Sequence, residues 1–68
     1  MLDGLTKKQN EGLKALHVNA IDEAERFLKL YRMSNLRKYL VLAKCELAKA
    51  RAYLNLGDFD PDARLFKM

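Results

Sequence analysis

The sequence predicts an all-α protein: an antiparallel two-helix hairpin with a short C-terminal helical turn, assembling into a helical bundle. Leu, Ala, Lys, Glu and Arg dominate the 68 residues, and these are strong helix formers. Only three glycines and one proline interrupt the chain. In two long segments, apolar residues recur every three or four positions, as on the buried face of a helix. We therefore expect residues 1–68 to form a single helical domain without strands.

The first helix is expected over residues 7–32. Thr6 and Gln9 have the spacing of a capping box. In this motif, the Thr hydroxyl accepts from the Gln backbone N–H, and the Gln side chain accepts from the Thr backbone N–H. At 100° per residue, the apolar side chains of this helix fall within one arc of about 140°. The arc contains Leu13, Leu16, His17, Ala20, Ile21, Ala24, Phe27, Leu28 and Tyr31. The helix should therefore be amphipathic, with one solvated face.

The second helix is expected over residues 35–56. Ser34 is its candidate N-cap, and Gly57 is expected to close it at the C′ position. Its apolar residues form a heptad seam of large and small side chains. The seam consists of Leu36, Leu40, Ala43, Leu47, Ala50 and Leu54, and Tyr39, Leu42 and Tyr53 widen it. If the two helices pack antiparallel, His17 lies level with Ala50 and large residues face small ones.

The C-terminal residues predict a further helical turn over residues 61–66, because Asp60 as N-cap and Pro61 at the first helical position are typical of a helix start. The segment from Ala50 to Asp60, with the Ala-and-Phe pattern that follows it, resembles the junction inside a tetratricopeptide repeat. The resemblance implies that Phe59, Leu65 and Phe66 fold back on the hairpin end. The chain is not assigned to that family, since no repeat of that length recurs upstream. The alternative is an exposed C-terminal peptide that a partner recognises.

A second strip on the other side of the second helix consists of small residues. Small side chains let another helix approach closely, and chains below roughly 70 to 80 residues seldom gain more than a few kcal/mol from one core. We therefore predict self-association as a homodimer or a higher oligomer, with a twofold four-helix bundle as the simplest form. The alternative is that alanine merely serves helix propensity on an exposed face. The strip consists of Val41, Cys45, Ala48 and Ala52.

Positive charge is concentrated in the middle of the chain. From Arg26 to Arg51, Glu46 is the only acid, whereas Asp and Glu cluster on both flanks of this block. Arg37, Lys44 and Arg51 recur every seven positions and form a basic ribbon along the second helix. Two more basic residues, Lys38 and Lys49, lie on the other side of the small-residue strip. Such a ribbon can follow phosphates, so nucleic acid is an alternative partner, although the charges could also be an ordinary solvated face.

Glu46 falls inside the apolar arc of the second helix, where an unpaired carboxylate is costly. It could pair with Lys49 one turn later, with a side chain of the other helix, or with a basic residue of a second subunit or target. We therefore expect its charge to be neutralised or to reach solvent.

The sequence does not predict catalysis, a metal site or a cofactor. One His and one Cys cannot form a structural zinc site or an intrachain disulfide. In the hairpin, His17 and Cys45 should lie some 7 Å or more apart along the axis and point to opposite sides, which is unsuitable for a catalytic dyad. Asp58–Asp62 starts like a calcium loop, but Ala63 stands where an EF-hand requires glycine. We therefore expect a non-enzymatic protein.

These features favour a small regulatory or adaptor protein that binds an unidentified protein and itself. Phe59, Leu65 and Phe66 are the candidate partner-binding residues. The alternative is a nucleic-acid-binding hairpin that uses the basic ribbon. No apolar run approaches the roughly 20 residues that span a bilayer, and the N-terminus lacks the pattern of a secretory signal. We therefore expect a cytoplasmic location and no membrane partner.

Overall fold

The computed structural model of this chain describes residues 6–62. Two helices, α1 (Lys7–Ser34) and α2 (Arg37–Leu56), pack against each other in antiparallel orientation. Two residues, Asn35 and Leu36, link them, and no strand occurs in the described range. This confirms the all-α helical hairpin. Within the same range, neither helix combines the length and the apolar character needed to cross a membrane.

α1 begins where the capping box predicts. The Thr6 hydroxyl oxygen accepts from the Gln9 backbone N–H at 3.1 Å, and Gln9 Oε1 accepts from the Thr6 N–H at 3.0 Å. α1 ends at Ser34, two residues after the predicted end near residue 32. Asn35 then adopts a left-handed conformation with φ of 60°, which Asn tolerates better than most residues. Its N–H bonds to the Tyr31 carbonyl oxygen at 2.7 Å and ends the helix.

α2 starts two residues after the predicted position near residue 35, and the predicted N-cap was wrong. Ser34 is the last residue of α1, where its hydroxyl donates to the Leu30 carbonyl oxygen at 2.8 Å, and it is not the N-cap of α2. Leu36 occupies the N-cap position and offers no side-chain hydrogen bond. The predicted end at residue 56 is confirmed. Gly57 follows it in an extended conformation with φ of −99°, not in the left-handed conformation typical of a C′ glycine.

The core between the helices is thin. Its fully buried apolar residues are Ala20, Ile21, Ala24, Ala43 and Ala50, and His17 is buried with them. Leu47, Tyr53 and Leu54 are half-buried against this cluster. Because alanine dominates, the two helices bury little apolar surface for their length.

Three leucines assigned to the apolar arcs are more exposed than expected. Leu16, Leu36 and Leu42 are 46%, 49% and 41% exposed. A single neighbouring helix covers the centre of an arc but not both of its borders. Leu16 and Leu42 lie at such borders, and Leu36 lies in the link.

The chain after α2, Gly57–Asp62, is irregular, and we refer to it as the return segment. Pro61 and Asp62 belong to the predicted helical turn over residues 61–66, whose remaining residues lie outside the described range. Leu65 and Phe66 lie outside it as well. The turn therefore stays a prediction.

Candidate interaction surfaces

The return segment is anchored to α1 by two side chains. The Asn10 amide forms a two-way bridge with the backbone of Asp58: its Nδ2 donates to the carbonyl oxygen at 2.6 Å, and its Oδ1 accepts from the N–H. Two turns further along α1, His17 Nε2 accepts from the Asp62 N–H at 3.0 Å. The segment is therefore held at both of its ends against the same helix.

His17 joins three parts of the fold. Its Nδ1 lies 2.8 Å from the Ala50 carbonyl oxygen in α2, which confirms the predicted hairpin register. A carbonyl oxygen only accepts, so Nδ1 donates and Nε2 is left free to accept from Asp62, which corresponds to one neutral tautomer. The Phe59 ring lies 5.3 Å from the His17 ring, centroid to centroid, and is tilted by 56°. Both nitrogens and one ring face are thus occupied within the chain.

Phe59, a predicted partner-binding residue, is half-buried against His17. The absence of a side chain at Gly57 allows the Phe59 ring to pack here, because a Cβ at residue 57 would overlap that ring. This agrees with the interpretation in which Phe59 folds back on the hairpin. The sequence analysis missed the Asn10 anchor, since an exposed asparagine in a helix carries no periodic signal. The sequence analysis did place His17 in the apolar arc of the first helix, and that position indicated that the side chain is buried.

The second surface is the outer face of α2, which points away from α1. It consists of the small-residue strip and the basic residues on either side of it, all of them exposed. The strip lies opposite Ala43 and Ala50, which are fully buried against α1. The face comprises Val41, Cys45, Ala48 and Ala52, flanked by Arg37, Lys44 and Arg51 on one side and Lys38 and Lys49 on the other.

The outer face is uniformly positive. The only acid of α2, Glu46, lies off this face. Arg37, Lys44 and Arg51 are all exposed. Lys38 Nζ lies 5.2 Å from the centroid of the Tyr39 ring, within the range of a cation–π contact. The positive charges of the ribbon therefore lie at the surface of the hairpin.

The third surface, which we call the edge face, is one of the two sides of the hairpin on which residues of both α1 and α2 are exposed. It contains an open groove of about 140 Å³ lined by Leu16, Asn19, Ala20, Glu23, Glu46, Lys49 and Tyr53. The Glu46 side chain is only 18% exposed and accepts from Lys49 Nζ at 2.9 Å. Of the three predicted options for Glu46, the structure shows the pair with Lys49. The hydrogen bond and the charge of Glu46 raise the pKa of Lys49 above its ordinary value.

The structure places His17 and Cys45 on different faces of the fold. Within residues 6–62, no group of three His, Cys, Asp or Glu side chains is placed to hold a metal ion. Cys45 is exposed on the outer face of α2, whereas His17 is buried between the helices. Comparisons of the chain with protein-family models, with curated proteins and with solved structures found no match.

Proposed function

We propose that this protein is a small non-enzymatic regulatory or adaptor protein that binds an unidentified partner protein and associates with itself. The main support is the distribution of its apolar side chains. Four of the five fully buried apolar residues are alanines, whereas large apolar residues are exposed on several sides. A thin core stabilises a short chain only weakly, so a partner that covers some of these residues would add to its stability. The exposed residues are Leu16, Met33, Leu36, Val41, Leu42 and Leu56.

The outer face of α2 is the surface we propose for the partner protein. Its small side chains allow a partner helix to approach closely, with Val41 as the largest apolar contact. Its flanking cations favour a partner with acidic residues on both borders of its contact surface. The partner we expect is therefore an amphipathic helix with an acidic rim.

Site-specific photocrosslinking in the producing cells tests this proposal. A benzophenone amino acid replaces Val41 in one variant and Lys29 on α1 in the control. We expect a discrete adduct with a second protein from position 41 only, and its loss when Ala48→Glu is added. The proposal is refuted if position 41 forms no adduct containing peptides of another protein. An adduct that contains nucleotides instead would favour the second candidate function.

The second candidate function is nucleic-acid binding, favoured by the uniform charge of the outer face. Residues seven apart on a helix are separated by about 10.5 Å along its axis, so Arg37, Lys44 and Arg51 form a straight row. Lys38 and Lys49 form a second row across the small strip. A helix with a narrow centre and two basic borders suits the major groove of B-DNA, about 12 Å wide, because each row then faces one phosphate backbone.

Fluorescence anisotropy with a labelled DNA duplex tests this candidate. Arg37→Glu with Lys44→Glu should abolish binding, whereas Lys8→Glu with Lys29→Glu on α1 makes the same change in net charge and should weaken it only modestly. For three phosphate contacts, the logarithm of the affinity should fall with the logarithm of salt concentration with a slope of about −3. Binding that is insensitive to salt, or equally impaired in both double variants, contradicts this candidate.

A further inference from the structure

The edge face combines partly exposed apolar side chains with charged residues, and the hairpin leaves it half covered. On α2, one stripe of residues spaced 4, 3 and 4 apart runs along it: Leu42, Glu46, Lys49 and Tyr53. On α1, Leu16 and Glu23 line the same groove. Leu16 and Leu42 are each more than two-fifths exposed, although both belong to the apolar arcs of their helices. A further element packed on the open side of the hairpin would bury both leucines.

We propose that a second copy of this chain docks on the edge face, so that two hairpins form a twofold four-helix bundle. The proposal rests on the self-association part of the proposed function and names the surface that performs it. In the bundle, the edge residues of each copy contact the same residues of the other, as a twofold interface requires. Leu16, Leu42 and Tyr53 then contribute to a shared core.

Charge distinguishes the edge face from the outer face as the site of self-association. The edge carries acids and bases in pairs, with Lys49 2.9 Å from Glu46 and Arg26 3.6 Å from Glu23. Two copies can therefore meet there without a net repulsion. Two outer faces would bring the exposed cations of both copies together, which is unfavourable. Self-association through Val41, Cys45, Ala48 and Ala52 is thus disfavoured on electrostatic grounds.

The dimensions of the hairpin also suit a second copy. Its extents are 46 × 17 × 16 Å, so one long side presents about 740 Å². A stable interface of standard size buries about 800 Å² on each partner, which corresponds to the whole of one long side. A second hairpin of equal length supplies such a surface. It also remedies the thin core, in which Ile21 is the only fully buried apolar residue larger than alanine among residues 6–62.

Light scattering coupled to size-exclusion chromatography tests the proposal with two matched variants. Leu42→Glu and Ala48→Glu each place one carboxylate on exposed α2 surface, the first on the edge face and the second on the outer face. We expect twice the chain mass of 7.9 kDa for the wild type and for Ala48→Glu, and 7.9 kDa for Leu42→Glu. A monomeric wild type overturns the proposal. So does dissociation by Ala48→Glu with Leu42→Glu intact, which would assign self-association to the small-residue strip.

The thermal midpoint of the wild type at several protein concentrations provides a second measurement that needs no variant. A dimer that unfolds to separate chains has a midpoint that rises with concentration, whereas a monomer does not. A constant midpoint over a hundredfold range would overturn the edge-face dimer even if Leu42→Glu failed to fold. Crosslinking from Val41 to another protein would be unaffected by that result. Failure of this inference is therefore distinguishable from failure of the proposed function.

Discussion

Replacing His17 by leucine should destabilise the fold by removing two hydrogen bonds from a buried position. The ring has no exposed surface, and its nitrogens lie 2.8 Å from the Ala50 carbonyl oxygen and 3.0 Å from the Asp62 nitrogen. Leucine fills much of the same space with an apolar side chain but offers neither a donor nor an acceptor. The Ala50 carbonyl keeps its bond within α2, whereas the Asp62 N–H loses the acceptor that holds it against α1.

The size of the effect follows from the two bonds. Each contributes a net 0.5–1.5 kcal/mol, so their joint loss should lower the free energy of unfolding by about 1–3 kcal/mol. For a domain of this length, 1 kcal/mol corresponds to about 4–8 °C, and the thermal midpoint should fall by about 4–24 °C. Two amide replacements separate the bonds. His17→Asn can restore the donor to Ala50, and His17→Gln can restore the acceptor for Asp62, so each should recover part of the loss.

Thermal unfolding followed by circular dichroism at 222 nm, at one fixed protein concentration, measures these differences. Lys29→Leu is the control, because the same residue type enters α1 at an exposed position and should change stability by no more than about 0.5 kcal/mol. If His17→Leu unfolds at the same temperature as the wild type, the two bonds contribute nothing net. The anchoring of the return segment through His17 would then be refuted.

Three further predictions concern the glycines, the helix cap and the C-terminus. Gly57→Ala should cost about 1–3 kcal/mol in urea unfolding, because the new methyl overlaps the Phe59 ring, whereas Gly12→Ala should stabilise α1 by about 0.5–1 kcal/mol, since no side chain lies near Gly12. Thr6→Ala should lower stability by about 1 kcal/mol in the same assay and Thr6→Ser should not, because serine keeps the hydroxyl that caps α1. Leu65→Asp with Phe66→Asp should leave both the circular dichroism spectrum and the capture of a partner protein by the immobilised chain intact, because the proposed contact is the outer face of α2; loss of capture would assign the contact to these C-terminal residues instead.

The hairpin could be predicted because its determinants are local. Thr6 and Gln9 form their capping box within one turn, and the apolar spacing of each helix brings His17 level with Ala50. The link could not be predicted to the residue. Ser34 and Asn35 are both cap formers, and only the left-handed conformation of Asn35 decides that α1 includes Ser34.

The surfaces could be predicted only in part. The outer face of α2 follows from helical periodicity, which places Ala48 and Ala52 opposite the core. The edge face does not, because Leu16 and Leu42 fit the apolar arcs and only the packing of the pair shows that two helices leave them half covered. The anchors of the return segment join residues 45 and 48 positions apart, a separation over which periodicity carries no information.

The two-residue link between α1 and α2 has a consequence for the order of folding. Contacts beside Asn35 close short loops, whereas the bonds from Asn10 to Asp58 and from His17 to Asp62 close the longest loops of the hairpin. The entropy lost in closing a loop grows with its length, and local contacts form fastest. The helices should therefore pair from the link outward, and the return segment should dock last. Its amides should exchange with solvent before those of the helix centres, so that native-state hydrogen exchange would detect opening first at Asp58 and Asp62.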